Sequence, residues 1–226
     1  MPLSWTDGYR IVSSREAPIA AFSGLVENPA DLEELLGIEA ITNPLARLAQ
    51  KGIADIAPEE RVIGGGAALI MPPFVIPTVS RFSDGSYGVF YAGDELKTAG
   101  EERAYHLAGD LKKSNESEIV LRAEGYAYKV GLDGQLHDVR RSADPPPPPG
   151  VYNPNNYAIA QQHGRSLRRA GANGLLYESV RRPGFECVGI FRPKCVRDPR
   201  PAGVVYFDWD GQRVSVAVDE PRNSIA

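Results

Sequence analysis

The sequence predicts an α+β fold. Three observations lead to this prediction: strand-like runs are joined by short turns, helical runs occur in clusters, and 226 residues with 42% hydrophobic content suffice for one sizeable core. Strands that pair locally, with helices placed between them in groups, are typical of α+β proteins rather than of doubly wound parallel sheets. We therefore expect one domain over residues 1–226, with an N-terminal strand and helical segment at 1–78 and a core at 79–218.

The N-terminal segment contains one strand and two helices. Residues 8–13 (Gly-Tyr-Arg-Ile-Val-Ser) are predicted to form a short strand. Asn28-Pro29 supplies a cap and a first-turn proline for a helix at 28–36. A second helix begins at Thr42-Asn43-Pro44 and ends at Lys51-Gly52. The glycines and prolines of residues 64–73 indicate a loop and a short strand.

The centre of the chain combines a turn, a strand and a helix. Residues 81–86 (Arg-Phe-Ser-Asp-Gly-Ser) have turn chemistry, and residues 87–92 (Tyr-Gly-Val-Phe-Tyr-Ala) are rich in β-forming side chains. Asp94 is expected to cap a helix over residues 95–107.

The second half of the chain is richer in strands. Asp133-Gly134 suits a type I′ turn and predicts a hairpin between strands at 118–132 and 136–140. Asp144 and five prolines make residues 144–150 a stiff polyproline segment, interpreted as a surface linker. The elements expected after it are a helix at 153–169, strands at 174–177, 186–192, 204–209 and 213–218 with Asp210-Gly211 joining the last two, and a flexible tail at 219–226.

Composition argues against several classes of function. A net charge of -4 and a pI near 5.5 do not indicate the positively charged surface that direct binding to nucleic acid or to an anionic membrane requires. No apolar run is long enough to span a bilayer, and no signal peptide is evident, so a cytoplasmic protein is expected. The three histidines and two cysteines show no metal-ligand spacing, so no metal is expected. Cys187 and Cys195 are expected to be reduced, and a single disulfide between them is the alternative.

Four segments of the chain resemble the RES domain. Residues 81–92 and 98–106 are similar to the first half of that domain, and residues 174–181 and 186–193 are similar to its second half. The family takes its name from an Arg, a Glu and a Ser, which match Arg81, Glu102 and Ser179. Tyr9-Arg10 looks like the N-terminal arginine strand of the family, and residues 156–168 look like its penultimate helix.

This resemblance implies a fold, an activity and a partner. RES domains have a fold similar to that of ADP-ribosyltransferases, with a mixed β-sheet core and flanking helices. Members are usually toxins of toxin–antitoxin pairs, neutralised by a helix-turn-helix antitoxin of the Xre type. Their substrate is NAD⁺, which they hydrolyse or phosphorolyse, and some longer members ADP-ribosylate a protein.

The candidate binding residues suit the anionic and aromatic parts of NAD⁺. A pyrophosphate favours the planar, permanently charged fork of arginine, for which Arg81 is the first choice and Arg10 the second. Nicotinamide needs an aromatic face, which Tyr91 can supply. Tyr87 would lie on the same strand face if the strand is regular. Without the resemblance, a surface arginine in a turn is the favoured interpretation of Arg81, and both tyrosines could be ordinary core or cross-strand residues.

The candidate catalytic residues are Arg81, Tyr91 and Glu102. Loss of nicotinamide leaves positive charge on the ribose, and a carboxylate beside it stabilises that charge. The resemblance gives this role to Glu102, whereas Glu101 lies about 100° around the same helix and is expected to face solvent. The Ser179 hydroxyl could bind the carboxamide or ribose of NAD⁺, or cap a turn.

Three functions follow from these residues. The leading one is NAD⁺ breakdown, with ADP-ribose passed to water or phosphate. The second transfers ADP-ribose to a protein acceptor, and the third is a non-catalytic module that only binds an antitoxin. A nucleotide-binding dehydrogenase is disfavoured because the glycines at 64–66 are followed by no phosphate-loop or dinucleotide-binding motif.

Overall fold

The structure is a computed structural model, and it describes residues 5, 7–13, 49, 51–64, 66–114 and 120–219. The helix predicted at 28–36, most of the helix predicted at 42–52 and tail residues 220–226 lie outside the described residues. Residues 51–54 are helical, which is where the second of those helices was expected to end.

Mixed secondary structure confirms the predicted α+β class. The strands are β1 Gly8–Ser13, β2 Val79–Ser80, β3 Ser83–Asp84, β4 Phe90–Gly93, β5 Leu121–Leu132, β6 His137–Asp138, β7 Gly174–Glu178, β8 Glu186–Ile190, β9 Val196–Trp209 and β10 Val214–Asp219. The helices are α1 Ala67–Ile70, α2 Pro72–Val75, α3 Leu96–Lys113 and α4 Ala158–Arg169, with short 3₁₀ turns at Pro58–Glu60 and Pro193–Cys195.

One eight-stranded sheet organises the described chain. Its strand order is β10-β9-β5-β1-β4-β8-β7-β6, and every pair is antiparallel except β6 with β7. The N-terminal strand β1 lies in the middle, paired with β5 along all of its length and with β4 through Tyr9 and Gly93. Strands β2 and β3 form a separate hairpin, with Arg81 and Phe82 at its turn.

Small residues let helix α3 pack closely against the sheet. Ala104 joins a buried cluster with Ile11 of β1 and Phe207 of β9. A Cβ atom at Gly100 would come within 2.9 Å of the Val216 side chain on β10. The packing therefore fixes which face of α3 turns toward β1.

Helix α4 packs with similar closeness against the β2–β3 hairpin. A Cβ atom at Gly164 would come within 2.4 Å of the Phe82 carbonyl oxygen, so only glycine allows this approach. The Phe82 ring is fully buried and meets the Tyr177 ring edge-on, with centroids 4.9 Å apart. Since Phe82 follows Arg81 directly, this packing also fixes the position of Arg81.

The prediction of a hairpin at Asp133-Gly134 is wrong. Strand β5 pairs with β1 on one side and with β9 on the other, so both of its edges are occupied. Strand β6 instead joins the far end of the sheet, parallel to β7. Gly134 does adopt a positive φ of 115°, so the chain turns here without pairing the strands on either side.

Other predictions for the first half also differ from the structure. The short strand expected within residues 64–73 is absent from the described residues there, which form helices α1 and α2 instead. The strand expected from residue 87 begins at Phe90, and the helix expected to end at residue 107 continues to Lys113. Asp94 does not cap that helix through its side chain: one carboxylate oxygen accepts the neighbouring Glu95 N–H and the other accepts the Glu186 N–H of β8. Asp94 therefore ties β8 to the start of α3.

Two predicted starts in the second half also differ from the structure: α4 begins at Ala158 rather than at residue 153, and β9 begins at Val196 rather than at residue 204. The hairpin at Asp210-Gly211 is confirmed, because β9 and β10 pair from Trp209 and Val214 onward. Residues 144–150 run between β6 and α4, and most of them are exposed. Cys187 and Cys195 are free and buried. In the described part of the chain, no helix is both long and apolar enough to cross a membrane.

Candidate active site

A cavity of about 540 Å³ lies where β1, β4, α3 and the β2–β3 hairpin meet. It is lined by Arg10 from β1, Arg81 from the hairpin turn, Tyr91 from β4 and Glu102 from α3. Its volume falls in the range of small-molecule sites, roughly 300–1,000 Å³. The structure thus brings together four of the predicted site residues that are far apart in the sequence.

Arg81 is a buried cation with no counterion in the described chain. Only 6% of the residue is exposed, and one guanidinium nitrogen donates to the carbonyls of Asn153 at 3.0 Å and Val151 at 3.4 Å. The guanidinium lies over the Tyr157 ring, 4.6 Å from its centre. No carboxylate among the described residues is within ion-pair distance, so this charge can attract an anion.

Arg10 adds a second cation to the same cavity. Its guanidinium lies over the Phe90 ring at 4.7 Å, and one nitrogen is 3.5 Å from the Tyr91 carbonyl oxygen. Arg103 of α3 also lines the cavity. Three arginines therefore contribute positive charge to a space bounded by tyrosines.

Tyr91 is held rigidly through its hydroxyl group. That oxygen accepts the Phe82 backbone N–H at 3.1 Å and shares a hydrogen bond of 2.9 Å with the Ser80 hydroxyl. Burial raises the pKa of Tyr91 well above its ordinary value, so the phenol stays neutral at physiological pH. The anchored hydroxyl fixes the ring as a wall of the cavity.

Ser179 orients Glu102 from outside the cavity. Its hydroxyl donates to a Glu102 carboxylate oxygen at 2.6 Å and accepts the backbone N–H groups of Arg181 and Arg182 at 3.2 and 3.0 Å. Ser179 is 1% exposed and does not line the cavity. Ser179 therefore caps a turn, which was one of the two alternatives predicted from the sequence, and it also orients the Glu102 carboxylate. Glu101 does not line the cavity and is half-buried rather than solvent-exposed.

The cavity continues along one face of α3. His106 and Asp110 follow Glu102 at successive intervals of four residues, so all three lie on the same side of the helix, and all three line the cavity. Partial burial of its ring lowers the pKa of His106, against the opposing effect of the Glu102 carboxylate. The neutral form of the imidazole is therefore favoured beside the carboxylate.

Tyr87 is not part of this group. The predicted strand does not extend back to it, so the expected alternation of side chains fails there. Its hydroxyl donates to the Phe82 carbonyl oxygen, and its ring packs edge-on against Phe191. It lines a different cavity, of about 450 Å³, together with Glu60 and Arg192.

Several residues that line the cavity were not predicted from the sequence, among them Tyr157, Tyr177 and Cys187. Tyr157 stacks beneath Arg81, and Tyr177 and Cys187 lie on neighbouring strands at the buried end of the cavity. Burial and the nearby Glu102 carboxylate raise the pKa of the Cys187 thiol, so it is a poor nucleophile. Tyr157 lies in a segment already matched to the RES family, and an aromatic residue there was the available signal.

The arrangement as a whole suits a dianionic, aromatic ligand. The Arg81 guanidinium can bind a phosphate, the fixed ring of Tyr91 can contact a flat heterocycle, and the oriented Glu102 carboxylate can stabilise positive charge. In the described residues, no group of three or more His, Cys, Asp or Glu side chains is placed to hold a metal ion.

Comparison with known proteins identifies a family. The family model of the RES domain matches residues 60–210, which is more than half of the chain and includes Arg81, Glu102 and Ser179. An uncharacterized protein of Sinorhizobium fredii (strain NBRC 101917 / NGR234), y4oC, is 26% identical over 223 residues. That alignment covers 96% of this chain and 90% of the relative, so the similarity also includes the N-terminal segment that the family model leaves out.

Proposed function

The chain belongs to the RES-domain family, which is associated with toxin–antitoxin systems and NAD-related enzymes, and we propose that it consumes NAD⁺. The proposed reaction breaks the nicotinamide–ribose bond and passes ADP-ribose to water or phosphate. The observation that carries the proposal is the pairing of a buried, uncompensated Arg81 with a serine-oriented Glu102 across one cavity. Such a pair matches the two charges of the reaction, phosphate oxygens at one end and a developing cation at the other.

In the proposed reaction, the electrons of the ribose C1′–N bond leave with nicotinamide, which becomes neutral. The ribose then carries positive charge, which the Glu102 carboxylate stabilises. Water attacks C1′ and loses a proton, giving ADP-ribose, or phosphate attacks and gives its phosphate ester. Arg81 and Arg10 hold the pyrophosphate, and the fixed ring of Tyr91 contacts the nicotinamide.

Nicotinamide release from NAD⁺ by the purified protein tests this proposal. Glu102→Gln keeps the hydrogen bond to Ser179 possible but removes the charge, and should lower kcat/KM by about 100-fold or more, as for loss of one electrostatic stabiliser. Arg81→Lys keeps a charge but loses the planar fork, and should raise KM.

Two matched controls accompany these variants. Glu101→Gln changes the adjacent carboxylate on the same helix, which does not line the cavity. Arg61→Lys changes another buried arginine, 7% exposed, which also lies outside the cavity. If Glu102→Gln is folded and no slower than Glu101→Gln, the enzymatic proposal is wrong.

The same assay separates the competing functions. With NAD⁺ labelled in its ADP-ribose part, free labelled product supports transfer to water or phosphate, and label on a protein band supports a protein acceptor. Absence of both, with antitoxin binding retained, supports a non-catalytic binding module.

We also propose an antitoxin partner of the Xre-type helix-turn-helix class, and a cytoplasmic site of action where NAD⁺ is consumed. Family membership supports a toxin–antitoxin partner in general. Expression of the chain alone should arrest growth, and co-expression with a helix-turn-helix protein from the neighbouring gene should restore it. Arrest that persists despite complex formation would contradict this part of the proposal.

A further inference from the structure

A turn at residues 179–182 contacts the two parts of the structure that position the charged groups of the cavity. These are helix α3, which carries Glu102, and the segment at residues 151–157, which holds Arg81. The turn follows strand β7 and is closed by the Ser179 hydroxyl, which accepts the N–H groups of Arg181 and Arg182. Through the same hydroxyl it reaches Glu102 on α3. Arg182 adds a second tie to α3, donating to a Glu95 carboxylate oxygen at 2.6 Å and to the Thr98 hydroxyl at 2.8 Å.

Arg181 points from this turn to the segment that holds Arg81. One guanidinium nitrogen donates to the Pro154 carbonyl oxygen at 2.7 Å and lies 3.4 Å from the Tyr157 hydroxyl. The guanidinium also stacks on the Tyr105 ring, 3.2 Å from its centre. The Tyr105 hydroxyl in turn donates to the same Pro154 carbonyl at 3.3 Å.

The segment that binds Arg181 forms a turn closed by side-chain hydrogen bonds. The Asn153 side-chain oxygen accepts the N–H groups of Asn155 and Asn156 at 2.9 and 2.8 Å. The carbonyls of Val151 and Asn153, which hold Arg81, are therefore fixed relative to the Pro154 carbonyl, which binds Arg181. Tyr157 strengthens the connection, since its ring lies beneath Arg81 and its hydroxyl lies against Arg181.

We infer that Arg181 is a positioning residue, which holds Arg81 in its ligand-binding orientation by clamping residues 151–157. This inference rests on the proposed function for its kinetic consequence. A permanent, planar cation fits this role because it can bond a carbonyl, approach a hydroxyl and stack on a ring at once. One turn then aligns both ends of the site: Ser179 aligns the carboxylate and Arg181 aligns the guanidinium.

The kinetic test compares Arg181→Gln with Arg140→Gln. Arg140 is also a partly buried arginine, paired with Asp138 and Glu186, but it lies outside the cavity. Arg181→Gln should raise KM for NAD⁺ by about tenfold, the scale of one lost charge-assisted hydrogen bond, with kcat changed by less than about threefold. Arg181→Lys, which can still reach the Pro154 carbonyl, should recover part of this loss, and Arg140→Gln should leave KM unchanged.

A double-mutant cycle separates positioning from general destabilisation. If Arg181 acts through Arg81, adding Arg181→Gln to Arg81→Lys should raise KM by no more than about twofold further, because the effects of coupled residues do not add. Full additivity, or equal KM for Arg181→Gln and Arg140→Gln, would overturn the inference.

Hydrogen exchange supplies a readout that does not depend on activity. The backbone amides of Asn155 and Asn156 should exchange faster in Arg181→Gln than in Arg140→Gln, since the segment loses its clamp. If the unaltered protein releases no nicotinamide, the proposed function fails, and this exchange comparison still decides whether Arg181 holds the segment. Unchanged exchange at these amides rejects the clamp in either case.

Discussion

Replacing Ser179 with alanine should damage activity more than stability. The substitution removes the donor to Glu102 and the acceptor of two backbone N–H groups at a site that is 1% exposed. A hydrogen bond to a charged group contributes about 1.5–3 kcal/mol, and the two N–H groups are only partly buried, so water can satisfy them in part. We therefore expect a loss of about 2–3 kcal/mol in the free energy of unfolding, or roughly 5–10 °C in Tm for a chain of this size.

The catalytic effect of Ser179→Ala follows from the released carboxylate. Without its donor, Glu102 is free to rotate, and a displacement of about 1 Å in a catalytic group can lower a rate by 10- to 100-fold. The loss should fall on kcat, because Glu102 acts on the charge that develops during bond breaking. Thermal unfolding and nicotinamide release, measured on the same preparation, give the two quantities.

Ser83→Ala is the matched control for this prediction. Ser83 is also fully buried, and its hydroxyl donates to the Tyr87 carbonyl and accepts the Gly85 N–H, away from the cavity. Ser83→Ala should therefore lower Tm by a similar amount with kcat changed by no more than about twofold. The reasoning is refuted if the two variants lose activity in parallel, or if Ser179→Ala retains the unaltered kcat.

Two further predictions concern packing and pH. Gly164→Ala should lower the free energy of unfolding in urea by about 1–3 kcal/mol, because the new Cβ would lie 2.4 Å from the Phe82 carbonyl oxygen. The control Gly109→Ala meets nothing within 4 Å and should stabilise helix α3 by about 0.5–1 kcal/mol. Equal effects of the two variants would contradict the packing of α4 described above. Burial raises the pKa of Tyr87 and of Tyr152 from 10.0 to about 12, so the fold favours their neutral forms, and this stabilisation is complete below pH 10 and lost as pH rises through about 12. Phenolate absorbance should therefore appear later in the native than in the urea-unfolded protein, and coincident titrations would contradict the burial.

The sequence predicted the strands and turns that depend on nearby residues. Strand β1 has the predicted bounds, and the Asp210-Gly211 turn joins β9 to β10. The chemically similar Asp133-Gly134 failed because the partners of β5 are β1 and β9, which lie far away in the sequence. A turn dipeptide specifies local chain reversal, whereas strand pairing depends on the burial of whole strand faces.

The site was predictable to a similar extent. Residue chemistry and the RES resemblance selected Arg81, Tyr91 and Glu102, and the structure places all three around one cavity. The sequence alone did not reveal that backbone carbonyls at 151 and 153 hold Arg81, because a carbonyl has no residue-specific signature. Tyr87 was selected in error, since its placement assumed that the strand extends three residues further than it does.

The central position of β1 in the sheet determines when the cavity can form during synthesis of the chain. Strand β1 leaves the ribosome well before its partners, β4 at residues 90–93 and β5 at 121–132, and Ser179 comes later still. Non-local pairings of this kind form slowly, and domains fold as units once their segments are available. A nascent chain therefore cannot assemble the cavity around Arg10 and Glu102 until the segment up to Ser179 has been synthesised, which leaves time for the proposed antitoxin, if it is translated first, to be present when the site closes.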